Sequence, residues 1–171
     1  MTTTSTEAFE GLELREARDD DAADLIALIG RCFAEYPGVL LDVEGEMPEL
    51  LAIATTFAKA DGRFWVVVDP ADDRVIGCVG GAPASGGKSL ELKKLYVSPT
   101  ARRRGLGRAL CGLVEEEARA RGLSKVELWS DTKFTKAHQL YRSLGYEDTG
   151  QTRELEDISD TVEYYFVKPL S

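Results

Sequence analysis

Histidine and cysteine are scarce in this chain of 171 residues: one histidine, His138, and three cysteines, Cys32, Cys78 and Cys111. The thiols are odd in number and widely spaced. They show neither CxxC nor a Cys/His spacing that would hold a metal, so no metal is expected. Free, buried thiols in a reducing cytoplasm are the expectation. No apolar run approaches the ~20 residues needed to span a bilayer, so no membrane partner is expected. Residues 1–8, MTTTSTEA, have neither the basic nor the apolar region of a secretory signal. No GxxxxGK[ST] occurs, which disfavours a P-loop. There is no internal repeat and no low-complexity linker.

What is present fits a folded soluble domain: 43% apolar and 30% charged residues. The length favours one domain, residues 11–171, behind a flexible tail at 1–10. The net charge of −9 is unevenly spread. Residues 63–136 hold 14 bases and 9 acids, residues 1–62 hold 4 and 14, and residues 137–171 hold 3 and 7. An acidic chain with one basic block argues against a nucleic acid partner. The acidic flanks suit a cationic substrate, or serve solubility alone.

Hydrophobic periodicity divides the chain into elements. Leu12 and Leu14 alternate with charged neighbours as in a half-buried strand. Asp19–Asp21 precede a helix with Leu25, Ile26, Leu28, Ile29, Cys32 and Phe33 on one face, stopped by Tyr36-Pro37-Gly38. Residues 38–46 read as a loop. A second helix starts at Met47 or Pro48 and ends at Asp61-Gly62. Strands follow at 64–68, 74–82 and 89–97. Then come a helix with Glu115, Glu116 and Glu117 on its solvated side, a strand at 125–129, a helix from about Lys133 to Leu144, and two strands at 146–155 and 161–168. The order is β-α-α-β-β-β-α-β-α-β-β. Tight turns make the middle strands antiparallel, and the crossover from residue 90 to 129 makes one parallel pair. The expected fold class is α/β (α+β), a mixed, mostly antiparallel six- to seven-stranded sheet with about four helices on its faces.

Residues 90–108, LELKKLYVSPTARRRGLGR, organise the rest. A strand runs through Ser98-Pro99 into an arginine- and glycine-rich turn that opens a helix. The first N–H groups of a helix lack partners and point outward, so such a turn holds phosphate. Arg102, Arg103, Arg104 and Arg108 add charge for more than one phosphate. A pyrophosphate-bearing ligand is the reading.

Two motifs on these elements carry a family resemblance. Arg102-x-x-Gly105-x-Gly107, after the strand LKKLYV, resembles the acetyl-coenzyme A motif of the GNAT N-acetyltransferase superfamily. Ala137-x-x-Leu140-Tyr141-x-x-x-Gly145-Tyr146 resembles that family's other signature. Together they cover, with the element order, nearly the whole chain. The resemblance implies transfer of an acetyl group from acetyl-coenzyme A, a co-substrate, to a primary amine. The main chain of Arg103 to Arg108, including Leu106, would cradle the pyrophosphate, with Gly105 and Gly107 letting the backbone approach. The strand holding Leu95, Tyr96 and Val97 would splay from the strand at 126–129, leaving a gap for the pantetheine arm.

The resemblance also assigns chemistry. Glu91, six residues before Val97 and on the same face by period two, sits where many members carry a general base. The other reading is a structural or substrate-orienting acid, ion-paired with Lys93. Tyr141 matches the tyrosine that serves as general acid or thiolate donor, although it also lies on the edge of its helix's apolar stripe. Phe134 stands where members often carry a pantetheine-contacting Asn. His138, one turn along, is a candidate replacement or a partly exposed helix residue. Trp129 and Asp131 end a strand beside the site, Trp129 reading more readily as core.

The acceptor is expected to be a cationic small molecule or a lysine or N-terminal amine, because Glu35, Tyr36, Asp42, Glu44, Glu46, Glu156, Asp157 and Asp160 fall on segments that wall this site in the family. The oligomeric state is open, a homodimer included. Two other classes stay in view: a non-catalytic acyl-coenzyme A sensor on the same fold, and an unrelated nucleotide-binding α/β protein.

Overall fold

A computed structural model describes residues 7–171. The chain runs β1 (Glu13–Glu16), α1 (Ala22–Phe33), α2 (Val43–Glu46), α3 (Ile53–Lys59), β2 (Arg63–Asp69), β3 (Arg74–Pro83), β4 (Ser89–Val97), α4 (Leu106–Ala120), β5 (Lys125–Asp131), α5 (Thr135–Ser143), β6 (Glu147–Glu154) and β7 (Val162–Pro169). Short 3-10 turns at Asp19–Asp21, Pro48–Ala52 and Pro99–Ala101 lead into helices or loops. The strands form one seven-stranded sheet in the order β1-β2-β3-β4-β5-β7-β6, antiparallel except between β4 and β5. The mixed α/β class and the mostly antiparallel sheet follow the sequence.

Each face of the sheet carries its own core, as the alternation of strand residues requires. Val67, Leu90, Leu92, Val126, Leu128 and Phe166 pack against α4 and α5. Phe64, Val66, Val68, Val75, Cys78 and Ala82 pack against α1 and α3. Leu25, Leu28, Ile29, Cys32 and Phe33 of α1 are buried as the spacing predicts. The expected tail divides. Residues 1–6 lie outside the described residues, whereas Ala8 and Phe9, in a turn closed by Glu10 N–H to Glu7 O (3.1 Å), pack on the α4 core.

Local chemistry amends three expectations. The loop 38–46 contains α2, whose start is capped by Asp42 accepting from Gly45 N–H at 3.0 Å. The single helix after Pro48 is two pieces, because Ala52 adopts φ −151°, ψ 57°, outside the helical region. Its buried set is Leu50, Ile53 and Phe57, while Leu51 is 55% exposed. Glu115 is not solvated. It is buried, and its carboxylate accepts from Lys168 Nζ at 2.6 Å and Tyr146 Oη at 3.4 Å. A buried charge persists only when paired in this way.

Candidate active site

The site forms where β4 and β5 part. They pair at three consecutive positions, Ser89 with Lys125, Leu90 with Val126 and Glu91 with Glu127. Beyond Glu91 no pairs join them, and the gap opens towards Val97 and Asp131. β4 is irregular at the same place. Cys78 of β3 opposes Tyr96 and Gly80 opposes Lys93, so β4 carries one extra residue. Lys94 takes it up in the left-handed region, φ 55°, its Nζ tied to Glu49 at 2.6 Å.

This bulge resets the pleat and corrects the period-two reading. Glu91 opposes Ala82 and Val97 opposes Gly77, an odd interval along β3. Glu91 and Lys93 therefore share the α1 face with Tyr96, while Leu95 and Val97 turn to the α4–α5 face. No ion pair joins Lys93 to Glu91 among the described residues. Burial lifts the Glu91 carboxyl above the ordinary glutamate range, opposed by Lys93 and Arg153 and reinforced by Glu127 and Glu163. Glu127 itself accepts from the hydroxyls of Ser89 and Tyr165.

The phosphate turn follows β4. Arg103 (φ 65°) and Gly105 (φ 78°) are both left-handed. Gly105 takes that conformation without steric cost. The first N–H after Ala101 to find a backbone partner is that of Ala109, bonded to Gly105 O at 3.0 Å. The amides from Arg103 to Arg108 are thus unpaired within the described residues, a row of donors at the start of α4. Arg103, Arg104 and Arg108 are exposed beside it. Leu106 buries its side chain in the core and can offer only its amide. Gly107 has a packing role instead, because a Cβ there would lie 2.9 Å from Leu140 Cδ2 of α5. Arg102 is also not free for a phosphate: both Nη atoms reach the Glu35 carboxylate, at 2.6 and 2.5 Å.

Two cavities meet across the gap. One, of about 350 Å³, runs between the turn, Val97, α5 and the end of α1. The other, of about 650 Å³, holds both Glu91 and Tyr141 and is roofed by residues around 39–47 and 155–161. Leu95, Tyr96, Phe134 and Ala137 line both. Phe134 stacks with Phe33 (5.7 Å) and Tyr36 (5.1 Å), making an apolar wall at the position where the family often carries an Asn. Tyr96 packs edge-on against Phe33 at 5.9 Å. Tyr141 is buried between Tyr146 (5.9 Å) and Phe166 (5.7 Å), and burial pushes its phenol well above the ordinary range, so it keeps its proton.

His138 does not reach either cavity. It lies behind the wall, 3% exposed, with Nε2 3.1 Å from Ser130 Oγ and its ring between Tyr164 and Phe166. Burial depresses its basicity, so it is a neutral residue docking α5 on the sheet. Its apolar surroundings come from β7, which helix spacing cannot report.

Seven carboxylates and three basic groups line the larger cavity. Lys94 is engaged by Glu49, and Arg153 by Glu163 at 2.7 Å while lying 4.3 Å over the Trp129 ring. Trp129 is therefore a cavity wall rather than core. Of the eight residues expected to wall the acceptor, Glu46, Glu156 and Asp157 line this cavity and Tyr36 lines the smaller one, while Glu35 is bound to Arg102 and Asp42, Glu44 and Asp160 line neither. Sequence reasoning missed the Glu35–Arg102 pair, the Arg153–Trp129 stack and the Glu91–Glu127 register. Each joins segments far apart in the chain and leaves no local signal.

A mixed sheet that splays in its middle has an amide-lined turn on one side of the gap, suited to a phosphate-bearing ligand, and a carboxylate and a phenol on the other. The chain belongs to the Acetyltransferase (GNAT) family, whose model matches residues 24–146. It is 34% identical over 134 residues to an IAA acetyltransferase of Azospirillum brasilense, covering 78% of this chain and 84% of that one. It spans about half the length of vertebrate relatives it matches, 50% of a probable N-acetyltransferase 14 from Xenopus tropicalis, at 31% identity over 60% of this chain. A GNAT-family acetyltransferase from Staphylococcus aureus has the same fold, with TM-score 0.78 at 18% identity over 94% of this chain and 99% of that one. So does the PaiA N-acetyltransferase of Thermoplasma acidophilum, solved with coenzyme A, with TM-score 0.69 at 15% identity over 93% and 99%. Among the described residues no group of three or more His, Cys, Asp or Glu could hold a metal ion, and no helix is long and apolar enough to cross a membrane.

Proposed function

We propose that this protein moves an acetyl group from acetyl-coenzyme A to the primary amine of a cationic acceptor, a small molecule or a lysine or N-terminal amine. The observation that carries this reading is the placement of Glu91 and Tyr141 on one cavity that meets the amide-lined groove across the β4–β5 gap. Acetyl-coenzyme A supplies an acyl thioester. The residues fit it: the free amides of Arg103 to Arg108 and the exposed arginines suit its phosphates. The main chain at Leu95 and Val97 borders the gap, and Phe134 offers an apolar surface to the pantetheine arm.

An amine is protonated at neutral pH and attacks only after losing that proton. Glu91 takes it, directly or through water, and its raised pKa makes it a stronger base than free glutamate. Tyr141, held neutral by burial, keeps a proton at Oη for the departing sulfur. The excess of carboxylates in the larger cavity favours an acceptor that carries positive charge.

Thiol release from acetyl-coenzyme A, measured across amines matched in size but with and without a second positive charge, tests the proposal. A higher kcat/KM for the cationic members is expected, and Tyr141→Phe should lower kcat at least ~10-fold, the loss of one acid–base group. Equal kcat/KM across the pairs removes the cationic acceptor. Coenzyme A binding with no thiol release for any amine removes catalysis.

A further inference from the structure

We infer that Glu35 is a positioning residue for the donor: it fastens Arg102 and thereby sets the line of amides that follows. The inference rests on the donor reading above. Glu35 lies one turn past Cys32, its N–H bonded to Cys32 O at 3.3 Å, just beyond the end of α1. Its carboxylate receives both Nη atoms of Arg102, at 2.6 and 2.5 Å, and Lys136 Nζ at 3.4 Å. One side chain therefore ties together three walls of the smaller cavity: the end of α1, the turn and α5.

The fork is paired on both sides and partly shielded, with side-chain exposures of 31% for Arg102 and 21% for Glu35. Arg102 Nη2 is also 3.9 Å from Cys32 Sγ, which lies 3.4 Å from Val97 O. The turn is thus indexed against the last residue of β4. Directly after Arg102 (φ −75°, ψ 167°) the chain swings into the left-handed region at Arg103. Where Arg102 is held decides where the next amides point.

Charge alone predicts the opposite sign. A carboxylate beside an anion site repels the anion, so its removal should tighten binding. Positioning predicts weaker binding, since a released fork lets the turn wander and the amides must be ordered again on binding. The sign of the change separates the two.

Calorimetric titration of the full chain with coenzyme A decides. Glu35→Gln should raise Kd about five- to tenfold, as should Arg102→Lys, which keeps the charge but cannot form the fork. The double variant should be no worse than either single one, because both remove one contact. With any accepted amine, the donor KM should rise far more than kcat falls, a split that general destabilisation would not produce. Unchanged or tighter coenzyme A binding by Glu35→Gln overturns the inference. If that variant fails to fold, a wild-type Kd in Arg102→Lys overturns it instead. A wild-type chain that does not bind coenzyme A removes the donor reading itself, and the inference with it.

Discussion

The two cavities are built by different means. The smaller takes its polar groups from main chain, with unpaired amides over one short stretch, a left-handed glycine and the end of a strand that has lost its neighbour, set between apolar side chains of the α1 end and α5. The larger is made from side chains brought from segments as distant as residues 33 and 163. Its roof is joined by two bonds, Leu40 N–H to Ser159 Oγ at 3.0 Å and Ile158 N–H to the Glu46 carboxylate at 2.8 Å. On the proposed function, main-chain amides meet the phosphates of the donor. Side chains on exposed loops can change from one protein to the next without disturbing the sheet. On the same reading, the groove for the donor and the pocket for the acceptor can therefore vary independently.

Substitutions on either side can break that division. The largest effect is expected at the gap itself. Glu91→Gln should lower kcat/KM about 100-fold, the scale of a lost general base, while leaving the coenzyme A Kd alone. In the wild type, kcat/KM should fall as the pH drops through a pKa above the ~4.3 of free glutamate, and the variant should lose that limb. The raised pKa also means that ionised Glu91 opposes folding at neutral pH, so the variant's Tm should be equal or higher. A drop in coenzyme A affinity would blur the boundary between the two cavities.

A smaller effect belongs to the donor side. Gly105→Ala places a Cβ at φ 78°, a strain of about 1 kcal/mol, and should weaken coenzyme A binding about fivefold with the acceptor KM unchanged. The smallest belongs to the roof. Ser159→Ala removes one exposed hydrogen bond and should raise the acceptor KM about twofold, leaving donor affinity as it was. Steady-state kinetics with each substrate varied in turn reads both. A Ser159→Ala effect on the donor would show that the two cavities are coupled.

Which of these features could be read in the sequence follows from how local they are. In the turn at 102–108 the run of amides and the left-handed Gly105 were legible because they depend on consecutive residues, whereas the roles of Arg102 and Gly107 were not, being set by Glu35 and Leu140. The faces of β4 were legible only as far as Lys93, since the extra residue at Lys94 is defined by its partner strand and not by its own side chain. His138 and Glu115 illustrate the same limit. Helix spacing gave one an exposed alternative and the other a solvated side, yet both are buried because β7 passes beside them with Phe166 and Lys168. The split after Pro48 has no compositional mark, as Ala52 is a good helix former held out of the helix.

The three-pair seam between β4 and β5 has a mechanical meaning. The sheet is two blades, β1 to β4 and β5 to β6, joined near one end. From Glu91 to Val97 the free edge runs about 20 Å at ~3.3 Å per residue. With so short a joint and so long an arm, a few degrees of twist at Ser89–Glu91 become more than an ångström at the mouth. The width of the opening therefore follows an angle set at the joint, where Ser89 and Glu127, which line neither cavity, are bonded to each other.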